Sequence, residues 1–98
     1  MVYMKKSLKL NIQIDIIREG KMYVAYSPAL DLASCGKTIE QAKKSFAEAA
    51  DLFFESIIAR GVYKETLLSL GWRVASKQIW PPTIISRELS PIRIPSLV

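Results

Sequence analysis

Residues 24–42 read VAYSPALDLASCGKTIEQA, and the order of elements in this stretch decides the fold. Pro28 has no N–H to give to a ladder, so a strand must end at YS. Asp31 suits the turn that follows, because its side chain can bond its own backbone. LASCG then reads as a short third strand. Gly36 permits a tight approach to a helix start. Thr38 is the N-cap and Gln41 stands three residues later, the pattern of a capping box. Cys35 lies near the helix N-terminus, where a thiolate is stabilised. The chain has no histidine to act as its base, so Cys35 reads as a small buried residue.

Upstream, residues 7–17 (SLKLNIQIDII) alternate. Leu8, Leu10, Ile12, Ile14 and Ile16 share one face, and Lys9, Asn11, Gln13 and Asp15 share the other. That period predicts a strand with one buried face. REGK follows, with Gly20 free to take positive φ, and predicts a tight hairpin turn. MYVAYS is the return strand, with Met22, Val24 and Tyr26 on one face and Tyr23 and Ala25 on the other.

Downstream, Ala42, Phe46, Ala49, Ala50, Phe53 and Ile57 recur at helical spacing, and Lys43, Lys44, Glu48, Asp51 and Glu55 take the opposite face. Gly61 sits where a left-handed C-terminal residue belongs. One amphipathic helix over residues 38–60 is therefore expected, followed by a short second helix ended by Gly71 and a fourth strand within WRVASKQIW. The remainder holds four of the five prolines, so it cannot be helical. Ile84, Ile85, Leu89, Ile92, Ile94, Leu97 and Val98 nevertheless make it too apolar for a free disordered tail. The expected organisation is α+β: an antiparallel sheet of three to four strands packed on one long helix, in the order β-β-β-α-α-β. Residues 1–79 form that domain, and residues 80–98 form an extended proline-rich tail. Trp80, Ile84, Ile85, Ile92 and Ile94 of the tail are expected to make oligomer contacts, giving a homodimer or a higher homo-oligomer.

Composition narrows the function. With 98 residues, half of them hydrophobic, the chain can build one small core. The net charge of +5 invites a nucleic-acid reading, but the basic residues are scattered, with paired lysines only at Lys5–Lys6 and Lys43–Lys44. The absence of histidine removes Ser-His-Asp and Cys-His catalysis and most zinc sites. The single cysteine permits no disulfide within the chain. No apolar run spans a bilayer, and polar residues interrupt the N-terminal stretch where an export signal would need continuity. A cytoplasmic protein without cofactor or metal is expected.

The segment YVAYSPALDLASCGKTIEQAKKSFAEAADLFFES resembles the HicB antitoxin family. Tyr23, Ala25, Pro28 and Leu30 match that family's first segment. Gly36, Thr38 and Ala42 match the second, with Glu40 and Gln41 at the helix start. The likeness covers roughly residues 8–58. It implies a partial RNase-H-like fold and a protein that neutralises a HicA-type mRNA-cleaving ribonuclease toxin by binding it. Tyr23, Tyr26 and Asp31, on and beside the hairpin, are the partner-binding residues expected on this reading. Family members often carry a C-terminal helix-turn-helix or ribbon-helix-helix domain. The proline-broken stretch after Gly71 lacks the helical pattern for one, so no specific DNA binding by this chain alone is expected.

Two alternatives follow. One is an orphan HicB-like homo-oligomeric protein with no toxin. The other, remote, is an RNase-H-like nuclease. A two-metal nuclease needs several converging carboxylates. Asp15 and Glu48 supply two, but neither LASCG nor WRVASKQIW contains a third. The chain is therefore read as a non-enzyme.

Overall fold

The computed structural model describes residues 9–76 and 78–97. Its elements are β1 (Asp15–Glu19), β2 (Met22–Ser27), β3 (Leu32–Gly36), α1 (Ile39–Ala59), α2 (Tyr63–Ser69), β4 (Arg73–Val74) and β5 (Ile79–Trp80). The fold is α+β, with an antiparallel sheet β1-β2-β3 packed on the long helix α1 and a second, short helix beside it.

The first hairpin closes at the pair Glu19–Met22. Gly20 takes φ +61° while Lys21 keeps negative φ, the pattern of a two-residue type II′ turn, whose twist matches the flanking strands. The strand expected over residues 7–17 is shorter and begins later. Residues 9–14 join no ladder, and residues 7 and 8 lie outside the described residues. The partner strand is short: Asp15 already faces Tyr26, which leaves only Ser27 opposite Ile14 before Pro28, and no partner for residues further upstream. Ile12 and Ile14 still pack against the core from this unpaired segment.

Helix α1 starts as its capping residues dictate. The Thr38 hydroxyl oxygen accepts from the Gln41 backbone N–H at 3.1 Å, and the Gln41 side-chain oxygen accepts from the Lys37 N–H at 3.1 Å. It ends in a Schellman motif, with Val62 N–H donating to Ile57 C=O at 2.9 Å and Gly61 N–H to Ile58 C=O at 3.0 Å, Gly61 being left-handed at φ +69°. Helix α2 ends the same way at Gly71: Trp72 N–H donates to Leu67 C=O and Gly71 N–H to Leu68 C=O.

One face of the sheet meets α1 through small residues. Ala25 and Ala42 are fully buried. A Cβ on Gly36 would lie 2.5 Å from the Ala42 backbone nitrogen, so only glycine lets the helix start sit this close to β3. Phe46, Ile57, Leu67 and Trp72 complete the core, and Phe54, which the helical spacing alone left unassigned, stacks edge-on against Trp72 with ring centroids 6.1 Å apart. The expected fourth strand is instead a small hairpin of its own: β4 pairs with β5 as a separate two-stranded sheet. Its turn is closed by Ala75 N–H donating to Gln78 C=O at 2.8 Å. Residues 81–97 belong to no helix or strand.

Candidate partner-binding face

The register divides the sheet residues between two faces. Tyr23, Ala25 and Ser27 look toward α1. Met22, Val24 and Tyr26 look the other way, together with their partners Ile17, Cys35, Asp15 and Ala33. This second face is open. Ile17, Val24 and Cys35 form one cross-strand row on it, and Ile17 is 42% exposed. Cys35 is exposed, contrary to the buried residue expected, because its place opposite Val24 turns it away from the helix.

At the edge of that row stands a polar cluster. The Tyr26 hydroxyl donates to Asp31 Oδ1 at 2.9 Å. Asp31 therefore accepts a side-chain bond rather than bonding its own backbone as expected. It holds a left-handed backbone, φ +47°, a conformation that aspartate tolerates better than most residues. The loop that presents it, residues 28–31, is fixed from inside. The buried Ser27 hydroxyl oxygen accepts from the Leu30 N–H at 3.2 Å, and the Trp72 indole N–H donates to the Ala29 carbonyl at 2.8 Å.

Asp15 is the register partner of Tyr26 and sits on the same face. Arg87 Nη1 donates to Asp15 Oδ1 at 2.6 Å. With the Gln13 amide turned so that its oxygen meets the guanidinium, that oxygen accepts from Arg87 Nη2 at 3.0 Å and Nε at 3.3 Å. Arg87 thus offsets the charge of Asp15, whereas Asp31 has no ion pair among the described residues. The hydrogen bond to Asp31, aided by burial and by the charges of Asp31 and Asp15, raises the Tyr26 pKa above its ordinary 10.0. The phenol is held as a protonated donor beside acceptor carboxylates.

The structure brings Tyr26 and Asp31 together but not Tyr23. Tyr23 faces α1 and packs half-buried against the core. Of the residues expected to make oligomer contacts, Trp80 is half-buried within its own chain, under the Arg73 guanidinium at 4.6 Å from the ring centroid. Ile84 lines a groove of about 470 Å³ with Asn11, Gln13, Pro28 and Ala29. Ile85, Ile92 and Ile94 are 89%, 79% and 67% exposed. The two carboxylates weighed for a nuclease lie on opposite sides of the sheet. Asp15 is on the open face and Glu48 is exposed on α1, and no group of three metal-ligating side chains occurs among the described residues. Among the described residues no helix is long and apolar enough to cross a membrane.

The Arg87–Asp15–Gln13 clamp was not read from sequence. No local pattern around Arg87, which is flanked by Ser86 and Glu88, points to Asp15 or Gln13. Comparison with protein-family models, with curated proteins and with solved structures returned no match to this chain.

Proposed function

We propose that this chain is a HicB-like antitoxin, a cytoplasmic binding protein that neutralises a small HicA-type mRNA-cleaving ribonuclease by covering it with the open sheet face. The observation that carries the reading is the Tyr26–Asp31 pair beside the apolar row Ile17–Val24–Cys35. An apolar strip bordered by an aromatic hydroxyl and a carboxylate without an ion pair among the described residues has the composition of a protein–protein contact. The sequence likeness from Tyr23 to Ala42 supports the same reading. A ribonuclease must be cationic where it holds RNA. The chain as a whole is also cationic, at +5, so attraction has to be local. Asp31 meets that need: it carries no ion pair among the described residues, and it can accept bonds from arginine or lysine of the toxin. In this reading the chain acts by occlusion and performs no chemistry itself.

The test is co-expression with the small adjacent gene in cells whose growth the toxin arrests. Restored growth and recovery of a complex by pull-down are the expected results. Continued arrest, with no complex recovered, leaves the orphan homo-oligomer as the better description.

A further inference from the structure

The last part of the chain is an arm with a fixed root. Arg87 is clamped to Asp15 and Gln13 at the β1 side of the sheet. Beyond it, Leu89, Ile92, Ile94 and Leu97 are at least 67% exposed. The longest dimension of the molecule is 64 Å, against 28 and 24 Å for the others.

The spacing of prolines in the arm is informative. Along an extended strand the N–H and C=O of successive residues point to opposite edges. Pro91 and Pro95 therefore remove N–H donors from one edge only, the one shared with Arg93. Ser90, Ile92 and Ile94 keep the other edge able to bond. Such a strand can add to one sheet and cannot accept a further strand on its outer side.

The same chain carries an edge that matches. Strand β3 has no neighbour other than β2 among the described residues. The two-residue turn makes Glu19–Met22 a bonded pair, so alternation directs Met22, Val24 and Tyr26 toward β1, and Tyr23, Ala25 and Ser27 toward β3. Gly36, Ser34 and Leu32 are then engaged by β2, and Ala33 and Cys35 turn their backbone groups outward. Their side chains are small and lie on the open face. Residues that bond to them directly place their side chains on that face too.

We propose that the arm of one copy adds as an antiparallel strand to the β3 edge of a second copy, with Ile92 opposite Cys35 and Ile94 opposite Ala33, in a reciprocal exchange. Ile92 then extends the row Ile17–Val24–Cys35 by one residue, and Ile94 falls beside Ala33 and Tyr26. Three observations select a second copy as the occupant. The arm is rooted at β1, the opposite edge of its own sheet from β3. About ten residues beyond Arg87 reach up to about 33 Å, enough to cross the short dimensions of a partner. The blocked outer edge also closes the assembly as a two-fold pair instead of a growing sheet.

Cys35, the only cysteine, reports on this directly. Light scattering of the full chain is expected to read twice 11.0 kDa. Under mild oxidation, Ile92→Cys is expected to give a covalent dimer on a non-reducing gel, because it stands directly opposite Cys35 and bonded antiparallel pairs lie within disulfide range. Ile94→Cys, opposite Ala33 and diagonal to Cys35, should cross-link less. Adding Cys35→Ser should abolish the cross-link. Arg93→Cys, whose side chain takes the other face, should cross-link at least ~10-fold less. A monomeric wild-type chain overturns the proposal. So does a cross-link that survives Cys35→Ser, equal cross-linking by all three arm variants, or an intrachain cross-link at monomer mass. None of these outcomes depends on the presence of a toxin, so failure here is distinct from failure of the antitoxin reading.

Discussion

The indole N–H of Trp72 donates to the carbonyl of Ala29 at 2.8 Å across 43 positions of sequence, and both residues are buried. This bond ties the start of the small hairpin to the loop that presents Asp31. Trp72→Phe keeps most of the packing but leaves the Ala29 carbonyl without its donor. The expected cost is about 1–3 kcal/mol. A lower denaturant midpoint at constant slope would register it. An unchanged midpoint would mean that water replaces the indole there.

Gly36→Ala tests the contact between sheet and helix. The added Cβ would meet the Ala42 nitrogen at 2.5 Å and the Gln41 carbonyl carbon at 2.7 Å, both backbone atoms that cannot rotate aside. A loss of about 1–3 kcal/mol or more is expected by thermal or denaturant unfolding. Gly20→Ala has nothing within 4 Å to meet, so its cost comes from the positive φ alone, about 1–2 kcal/mol.

Tyr26 should titrate above 10.0 in the folded protein, chiefly because its hydroxyl is bonded to the Asp31 carboxylate. The raised value means that the folded state holds the proton more tightly than the unfolded chain. The associated stability is complete below the unfolded pKa and is lost as pH rises through the folded one. Ultraviolet titration of the phenolate across the tyrosine signals is the measurement. Asp31→Asn keeps an acceptor oxygen and removes the charge, so one tyrosine should move down toward the ordinary value. No movement would place the cause of the shift elsewhere.

The clamp on Arg87 is partly exposed, at 45% for the arginine side chain and 32% for Asp15. Arg87→Ala should therefore cost less than about 1 kcal/mol in global stability. Its effect should appear as faster amide exchange in residues 83–87, with the core unchanged. A large global loss would show that the clamp holds the fold as well as the arm.

Much of this architecture was legible in the sequence because local chemistry fixed it. Thr38 and Gln41 set the start of α1, Gly61 and Gly71 the ends of both helices, and Gly20 the first turn. Alternation over residues 7–17 held only in part even as a pattern of burial: Ile12 and Ile14 pack on the core, whereas Leu10 and Ile16 are exposed, and residues 9–14 join no ladder. The limit lay in the partner strand, which Pro28 ends, and a strand's own period carries no information about its partner's length. Cys35 was misread for a different reason: the lack of a histidine base argues against catalysis but says nothing of burial, and exposure is set by which face the register gives it. The site was half legible. Tyr26 and Asp31 stand close in sequence and meet in space, but Tyr23 shares their motif and not their face. The Trp72–Ala29 and Arg87–Asp15 contacts join distant segments, and no local pattern announces such pairs.

The proposed binding face is tested most directly by the affinity of the purified chain for the HicA-type toxin proposed as its partner, measured at physiological salt with two double variants. Tyr26→Phe with Asp31→Asn alters the open face, and Glu48→Gln with Asp51→Asn alters exposed carboxylates of α1. The expected result is a loss of at least ~10-fold, about 1.4 kcal/mol, for the first variant and no change for the second. Circular dichroism should match the wild type in both. Unchanged binding by the first variant together with a loss in the second would contradict the assignment and move the interface to the helix.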